Sequence, residues 1–242
     1  MEFTFLGSGN YFTTANFHSN ILVRHNDQGL LIDAGSDLKR SLPAAGFTCK
    51  DVDTVYISHL HDDHVGGLEW LGFIRHFLGL PKPKLFLHQE IFQYLWPCKL
   101  AVGMDKLKTG PMKLDDYFDV NVVEDDFFFG DVFFRLVRVP HIMDSFGLFI
   151  PERMWFTSDC AKVRADLCEQ AKIIFHDCEM HDPASGAHTQ FDDLLDLPDQ
   201  IKSKIWLYHL HDVGEIEQVV HRNLARYHGF AGIIPCGETF IV

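Results

Sequence analysis

The sequence has little positive charge for its size. Lys and Arg number 21 against 34 Asp and Glu, which gives a formal net charge of −13 at pH 7. Proteins that bind long nucleic acids usually carry a basic patch that neutralises backbone phosphates. The acidic balance therefore argues against a long nucleic acid as the partner of this chain.

The sequence also lacks long apolar runs and paired cysteines. No apolar run approaches the roughly 18 residues that a membrane-spanning helix requires, so no membrane segment is predicted. Residues 1–6 carry neither the basic region nor the cleavage site of a signal peptide. The six cysteines are scattered without a C-x-x-C pair, which is typical of reduced thiols in the cytoplasm. We expect a cytoplasmic protein with one domain spanning residues 1–242.

What the sequence does contain is a concentration of metal-ligand side chains in HLHDDH, residues 59–64. The preceding apolar run predicts a buried strand, and the following glycines predict a turn into a helix. Because residues two apart on an extended chain point the same way, His59 and His61 can hold one cation. The turn would bring Asp63 and His64 to a second cation. Imidazole and carboxylate together suit zinc or manganese.

The spacing H-x-H-x-D-H resembles that of the metallo-β-lactamase superfamily of hydrolases. The pattern of this family adds an earlier Asp and then a lone His, an Asp and a last His. The chain offers Asp33, His141, Asp159 and His209 in that order, each at the end of an apolar, strand-like run. The resemblance covers nearly the whole chain. It implies an α/β fold, the four-layer αββα sandwich, which fits strands that come first in hairpins and then alternate with helices.

The same resemblance implies a centre with two Zn²⁺ ions, with Mn²⁺ as the alternative at one or both sites. It assigns one ion to His59, His61 and His141, the other to Asp63, His64 and His209, and the bridging position to Asp159. A bridge needs a ligand with two oxygens, which supports a carboxylate there. Asp63 is also expected to orient the attacking water. Asp33 is expected to hydrogen-bond the ligand-bearing loop rather than bind metal.

Cys160 is an alternative ligand because it adjoins Asp159, and some relatives use a thiolate on the second metal. Neighbouring residues of a strand face opposite ways, so only one of the two should bind. We favour Asp159.

Two short stretches resemble the catalytic motifs of the ribonuclease Z-like phosphodiesterases. Residues 176–180, HDCEM, resemble their His-Glu-Ala-Thr stretch, and residues 186–189, GAHT, resemble their Gly-His-Ser-Thr stretch. The resemblance implies that Asp177 orients His188, which would contact the phosphate or protonate the leaving group. The chain differs in having Asp for Glu and an inserted Ala187. A loop with an incidental histidine is the alternative.

We therefore predict a dinuclear metal-dependent phosphodiesterase that hydrolyses a small phosphodiester such as a cyclic nucleotide. The tRNA-processing relatives carry a long projecting arm between the cluster and the lone His. Here the interval is short, and residues 97–114 are expected to be irregular, with room only for a small lid or dimer loop. The alternatives are a lactonase or thioesterase, which would not need Asp177 and His188, a tRNA 3′ processing endonuclease, and a non-catalytic binding module.

Two further features have open roles. Residues 127–134, FFFGDVFF, predict a buried hairpin that turns at Gly130 and Asp131, or alternatively an aromatic face of a homodimer. His18 lies where the family carries a loop at the mouth of the site. It either touches the substrate or, as we favour, is an exposed loop histidine.

Overall fold

Sixteen strands build most of the fold in a computed structural model that describes residues 1–181, 184–212 and 215–242. In chain order the strands are β1 Glu2–Phe5, β2 Ile21–His25, β3 Gln28–Ile32, β4 Thr54–Ile57, β5 Lys84–His88, β6 Lys106–Leu107, β7 Gly110–Pro111, β8 Asp119–Val123, β9 Asp126–Phe129, β10 Val132–Val139, β11 Ser145–Ile150, β12 Met154–Phe156, β13 Ile173–Asp177, β14 Ile205–Tyr208, β15 Gly232–Ile233 and β16 Thr239–Ile241.

Helices connect the strands and cover the sheets. They are α1 Leu38–Ala44, α2 Asp62–Val65, α3 Leu68–Phe77, α4 Gln89–Tyr94, α5 Ala101–Met104, α6 Leu114–Tyr117, α7 Ala165–Gln170, α8 Phe191–Leu195, α9 Asp199–Lys202 and α10 Glu215–Tyr227, with a 3₁₀ turn at Cys49–Asp51 and a π-helical segment at Leu95–Leu100. In the described ranges, every helix is too short or too polar to cross a membrane.

The strands form two seven-stranded sheets of related design. The first has the order β16-β1-β2-β3-β4-β5-β8, and the second has the order β15-β14-β13-β12-β11-β10-β9. In the first sheet β16 to β3 pair antiparallel and β3 to β8 pair parallel. In the second sheet β9 to β12 pair antiparallel and β12 to β15 pair parallel.

The two sheets pack face to face between two helical layers. Along β2, Ile21 and Val23 point into the core shared with the second sheet, whereas Leu22 points into the core beneath the helices. This alternation is the period of two expected of a strand that is buried on both faces. A third core lies between the second sheet and α7 to α10. The predicted four-layer αββα sandwich is confirmed.

Two hairpin turns follow directly from local sequence. Asn26 and Asp27 both have positive φ, 49° and 61°, as the two central residues of a type I′ turn require. The β9–β10 hairpin turns at Gly130 and Asp131 as predicted. Most of its aromatic side chains are buried in the inter-sheet core, and Phe128 is 61% exposed.

Residues 97–114 are more regular than predicted. The chain continues from α4 through the π-helical segment into α5 and then forms the β6–β7 hairpin. Pro97 has no N–H, and a widened helical turn accommodates the missing donor. Leu95, Leu100 and Met104 are buried in the core beneath the helices, which holds this segment helical. The interval between the cluster and His141 lies wholly within the described residues and consists of these short elements.

Candidate metal centre and catalytic pair

The candidate site lies at one edge of the sandwich, where strands of both sheets end. Because parallel strands present their carboxyl ends at the same edge of a sheet, side chains that follow them are brought together. Residues at or just after the ends of β3, β4, β10, β12, β13 and β14 are Asp33, His59, His141, Asp159, Asp177 and His209.

The first ligand group comprises His59, His61, His141 and Asp159, whose ligand atoms all lie within 4.8 Å of one another. Nδ1 of His61 is 3.1 Å from Nε2 of His59 and 3.2 Å from Nε2 of His141. Oδ2 of Asp159 is 3.6 Å from Nε2 of His59. Three imidazoles and one carboxylate oxygen therefore converge on one point.

The second ligand group comprises Asp63, His64, Asp159 and His209 and is buried throughout. Nε2 of His209 lies 3.1 Å from Oδ2 of Asp63 and 3.4 Å from Oδ1 of Asp159. Nε2 of His64 lies 3.3 Å from each of the same two oxygens. Asp159 thus directs Oδ2 to the first group and Oδ1 to the second, as a bridging carboxylate would.

Three buried atoms of the ligand residues have no hydrogen-bond partner, and one of them, Nδ1 of His209, faces Asp177 at 3.5 Å. The other two face the second ligand group. They are Nε2 of His64 and Oδ1 of Asp159. Buried polar atoms in folded proteins are nearly always satisfied, and each exception asks for an explanation. A divalent cation between the two would satisfy both atoms, so the residues present fit such an ion.

The protonation of several of these groups also suits cation binding. Burial lowers the pKa of the His59 imidazole and, together with His141, that of His61 to about 4, so both rings are neutral at pH 7. Burial alone would raise the pKa of Asp63 and Asp159, but neighbouring histidines outweigh it and hold both pKa values well below the ordinary range. Neutral imidazoles and ionised carboxylates are the forms that bind metals.

Hydrogen bonds outside the two groups fix the orientation of two imidazoles. Nδ1–H of His141 donates to the carbonyl oxygen of Ala187 at 2.9 Å, and Nδ1–H of His64 donates to Oδ2 of Asp33 at 2.8 Å. Because both acceptors only accept, Nδ1 of each ring carries the hydrogen, and Nε2, which faces the centre, is the atom that would bind a cation.

Asp33 ties the ligand-bearing loop to the end of β3. Its Oδ1 accepts from Ser58 N–H at 2.8 Å and its Oδ2 accepts from Ser58 Oγ at 2.7 Å. The expected hydrogen bonding of Asp33 to this loop is confirmed.

Three residues of the centre adopt left-handed backbone conformations. Asp33, Ser158 and His209 have φ values of 60°, 55° and 66°. Such conformations are strained for residues other than glycine and persist where the surrounding structure holds them. Here each lies one or two residues after a strand and redirects the chain at the centre.

Asp177 and His188 lie together beside the centre. Nδ1–H of His188 donates to Oδ2 of Asp177 at 2.9 Å, and the same nitrogen is 3.9 Å from Oδ2 of Asp159. Asp177 is fully buried and also accepts from the backbone N–H of Cys160 at 2.9 Å. Burial would lower the pKa of His188, but Asp177 outweighs it and raises that pKa above its usual value.

Cys160 turns away from the centre. Its thiol donates to the carbonyl oxygen of Lys162 at 2.7 Å. Burial raises the pKa of this thiol to about 12, so it is not a thiolate at neutral pH. The structure brings Asp159, and not Cys160, to the two ligand groups.

His18 is buried, so the expectation of an exposed loop histidine is wrong. It is 7% exposed and its backbone N–H donates to Asp37 at 2.8 Å. Gly35 permits this position: a Cβ there would lie 2.7 Å from Nδ1 of His18 and 2.2 Å from the carbonyl oxygen of Asp63. His18 therefore packs behind the loop that carries Asp63.

Sequence comparison decides the family. A family model described as Anti-Pycsar protein Apyc1 matches residues 1–240. The chain belongs to the Apyc1 family. The Anti-Pycsar protein Apyc1 of Paenibacillus xerothermodurans is 31% identical over 234 residues, which are 92% of this chain and 92% of that relative.

Solved structures share the fold of this Apyc1-family chain. The metallo-β-lactamase fold protein YhfI from Bacillus subtilis superposes with a TM-score of 0.76 at 18% identity, over 99% of this chain and 98% of that one. The short form of human tRNase Z superposes with a TM-score of 0.70 at 16% identity, over 100% of this chain and 99% of that one. The predicted metallo-β-lactamase fold is confirmed.

Two carboxylates hold loops of this Apyc1-family site in place, a role that the sequence did not indicate for either. Glu179 is buried and accepts hydrogen bonds from Ser185 and Gln190 at 2.9 and 2.6 Å, which pins the loop carrying His188. Asp212 accepts from Thr13 and Ala15 at 2.6 and 2.7 Å, which fastens a second loop beside His209. Some residues that donate to these two carboxylates lie far away in the sequence, and the others are common residue types with no recognisable motif. The sequence therefore carries no signal for either role.

Proposed function

We propose that the chain is a metal-dependent phosphodiesterase that hydrolyses a small phosphodiester such as a cyclic nucleotide. The observation that carries this proposal is the hydrogen-bonded pair of Asp177 and His188 beside the bridging position of Asp159. A hydrolase of lactones or thioesters shares the ligand groups but has no need of an acid–base pair at that place. Membership of the Apyc1 family and the fold support the same reaction class.

The two ligand groups would hold two divalent cations, and zinc is our assignment because imidazoles predominate. Divalent cations held there would supply the Lewis-acid charge that a displacement at phosphorus requires. The residues that would bind them are His59, His61, His141, Asp63, His64 and His209, with Asp159 shared between the two sites.

The residues of the chain itself would position the reactants and move protons. The ionised carboxylate of Asp63 accepts hydrogen bonds and donates none, so it can orient an attacking water as well as bind a cation. Asp177 holds His188 through Nδ1 and leaves Nε2 for the substrate. From there His188 would protonate the leaving oxygen or donate a hydrogen bond to the phosphate.

The charge and shape of the protein favour a small substrate. The net charge of −13 disfavours long polyanions. The whole interval from α3 to β10 consists of short elements, and the β6–β7 hairpin has only two residues in each strand. The β6–β7 hairpin is too small to wrap around a folded RNA. A small phosphodiester therefore fits the protein better.

Compartment and assembly belong to the same proposal. The six cysteines form no disulfide, which supports a reducing, cytoplasmic location.

A homodimer is supported by exposed Phe128 on β9, an edge strand of the second sheet. Sedimentation of the purified protein and of Phe128→Asp tests the dimer.

A hydrolysis panel tests the function. The purified, zinc-loaded protein would be given cyclic mononucleotides, bis-p-nitrophenyl phosphate, a lactone, a thioester and precursor tRNA. We expect turnover of the cyclic nucleotides to exceed that of every other natural substrate class. Faster lactone or thioester hydrolysis would establish an acyl hydrolase, and efficient tRNA 3′ processing at physiological salt would refute the argument from charge and shape.

A further inference from the structure

A large cavity adjoins the candidate centre. Its volume is about 980 Å³, and its walls come from α4, the π-helical segment and the loop that follows β10. His141 lies in its wall, as does Leu60, the residue between the ligands His59 and His61. A substrate whose phosphate occupied the centre would therefore extend its remaining atoms into this cavity.

The chemistry of the walls suits a flat aromatic group. Tyr94 lines the cavity and is 50% exposed, and Ile142 presents a second apolar surface. Pockets of roughly 300–1,000 Å³ with apolar walls and a few fixed polar groups are typical of small-ligand sites. A phosphate alone would leave most of this volume unfilled.

The cavity lining carries charges of both signs, because Glu90 and Asp144 lie there beside three cations. Lys99, Arg138 and Arg164 line it. Arg138 is fixed in place, because it pairs with Glu90 and with Asp144 at 2.6 Å and lies over the Phe146 ring at 4.8 Å. Fixed charged groups of both signs can bind the polar edge of a ligand whose flat face lies on the apolar wall.

We propose that this cavity binds the base of a nucleotide substrate, with Tyr94 as the residue on which the base stacks. The inference rests on the proposed phosphodiesterase function and goes beyond it by naming a specificity-determining residue. Aromatic side chains bind bases through their π faces, and removing one such stack typically weakens binding by about 10-fold or more.

The experiment compares two substrates that differ only in the base. One is a 3′,5′-cyclic nucleotide and the other is its abasic analogue, the same cyclic phosphate on a ribose without a base. Tyr94→Ala is expected to lower the ratio of kcat/KM for the nucleotide to kcat/KM for the analogue about 10-fold, and Tyr94→Phe to restore it. Binding of the corresponding nucleoside, measured by calorimetry, should weaken in parallel.

Two matched variants serve as controls. Tyr227→Ala removes a tyrosine that is 84% exposed on α10 and should leave the ratio unchanged. Phe12→Ala tests the rival aromatic surface, where Phe12 is 66% exposed and its ring centre lies 5.9 Å from that of His211. If Phe12→Ala lowers the ratio and Tyr94→Ala does not, the base lies on the other rim and the proposal is wrong.

Wild-type kinetics separate this proposal from the proposed function. Equal kcat/KM for the nucleotide and its abasic analogue would overturn the base pocket and leave the phosphodiesterase in place. Hydrolysis of neither substrate would overturn the phosphodiesterase itself.

Discussion

The Nδ1–H group of His64 donates a 2.8 Å hydrogen bond to Oδ2 of Asp33, and both side chains are buried. Asp33 lies at the end of β3 and His64 in the helix that follows β4, so this contact joins two elements at the centre. It also aims Nε2 of His64 at the carboxylates of Asp63 and Asp159. Metal affinity should therefore depend on a residue that binds no metal.

The first prediction concerns Asp33→Asn. An amide cannot accept all three hydrogen bonds that Asp33 accepts from Ser58 and His64, so His64 should lose its fixed orientation. We expect zinc affinity to fall about 10–100-fold, the usual effect of such supporting residues, as measured by competition with a chelator. Asp131→Asn is the matched control, because Asp131 bonds His25 at 2.6 Å on the surface. Equal affinity in Asp33→Asn and wild type would contradict the prediction.

The second prediction concerns the bridging carboxylate. Elemental analysis of wild-type protein purified without chelator should find about two metal equivalents per chain. Asp159→Ala should lose most of the second equivalent, because Asp159 contributes to both ligand groups. Cys160→Ser should retain both, since the thiol turns to Lys162. Less than half an equivalent in reconstituted wild type, or loss of metal in Cys160→Ser, would show the assignment to be wrong.

The third prediction concerns His188. It lies outside the two ligand groups assigned to metal, so His188→Ala should retain the metal content. Turnover of a phosphodiester with a poor leaving group should fall about 10²–10⁴-fold, the usual contribution of a placed general acid. A substrate that releases p-nitrophenol should lose less, because that leaving group needs less protonation. Asp177→Asn should give a milder form of the same defect.

The substrate comparison also distinguishes the two roles open to His188. Equal losses on both substrates would indicate electrostatic binding of the phosphate. Full activity of both His188→Ala and Asp177→Asn would exclude a catalytic pair and leave an unassigned metal-dependent hydrolase.

The fourth prediction concerns Glu179 as a positioning residue. Glu179→Gln replaces an acceptor of hydrogen bonds from Ser185 and Gln190, and should loosen the loop that carries His188. We expect kcat to fall about 10-fold or more through misplacement of His188, with metal content retained. The decisive measurement is a double-mutant cycle: in the His188→Ala background, Glu179→Gln should have little further effect. Additive losses would assign Glu179 a general structural role.

The positions of the candidate ligands could be predicted because each depends on local sequence. A His or Asp at the end of an apolar run can be recognised from a few neighbouring residues. Parallel pairing of the strands then brings these strand ends together. The burial of His18 could not be read this way, since it depends on Gly35 and Asp37 from another loop. The helical path after Pro97 likewise depends on core contacts of Leu95 and Leu100, which outweigh the local preference of proline.

The left-handed conformations at Asp33, Ser158 and His209 imply a conflict between folding and activity. Each costs on the order of 1 kcal/mol or more of stability, and glycine would remove that strain. Glycine at 33 or 209, however, would delete a side chain that the centre uses. A lineage released from selection for catalysis should therefore accumulate glycine at 158 and 209, whereas glycine at 33 would also leave three buried hydrogen-bond donors without an acceptor. Glycine at 209 would mark relatives that have kept the fold as an inert scaffold.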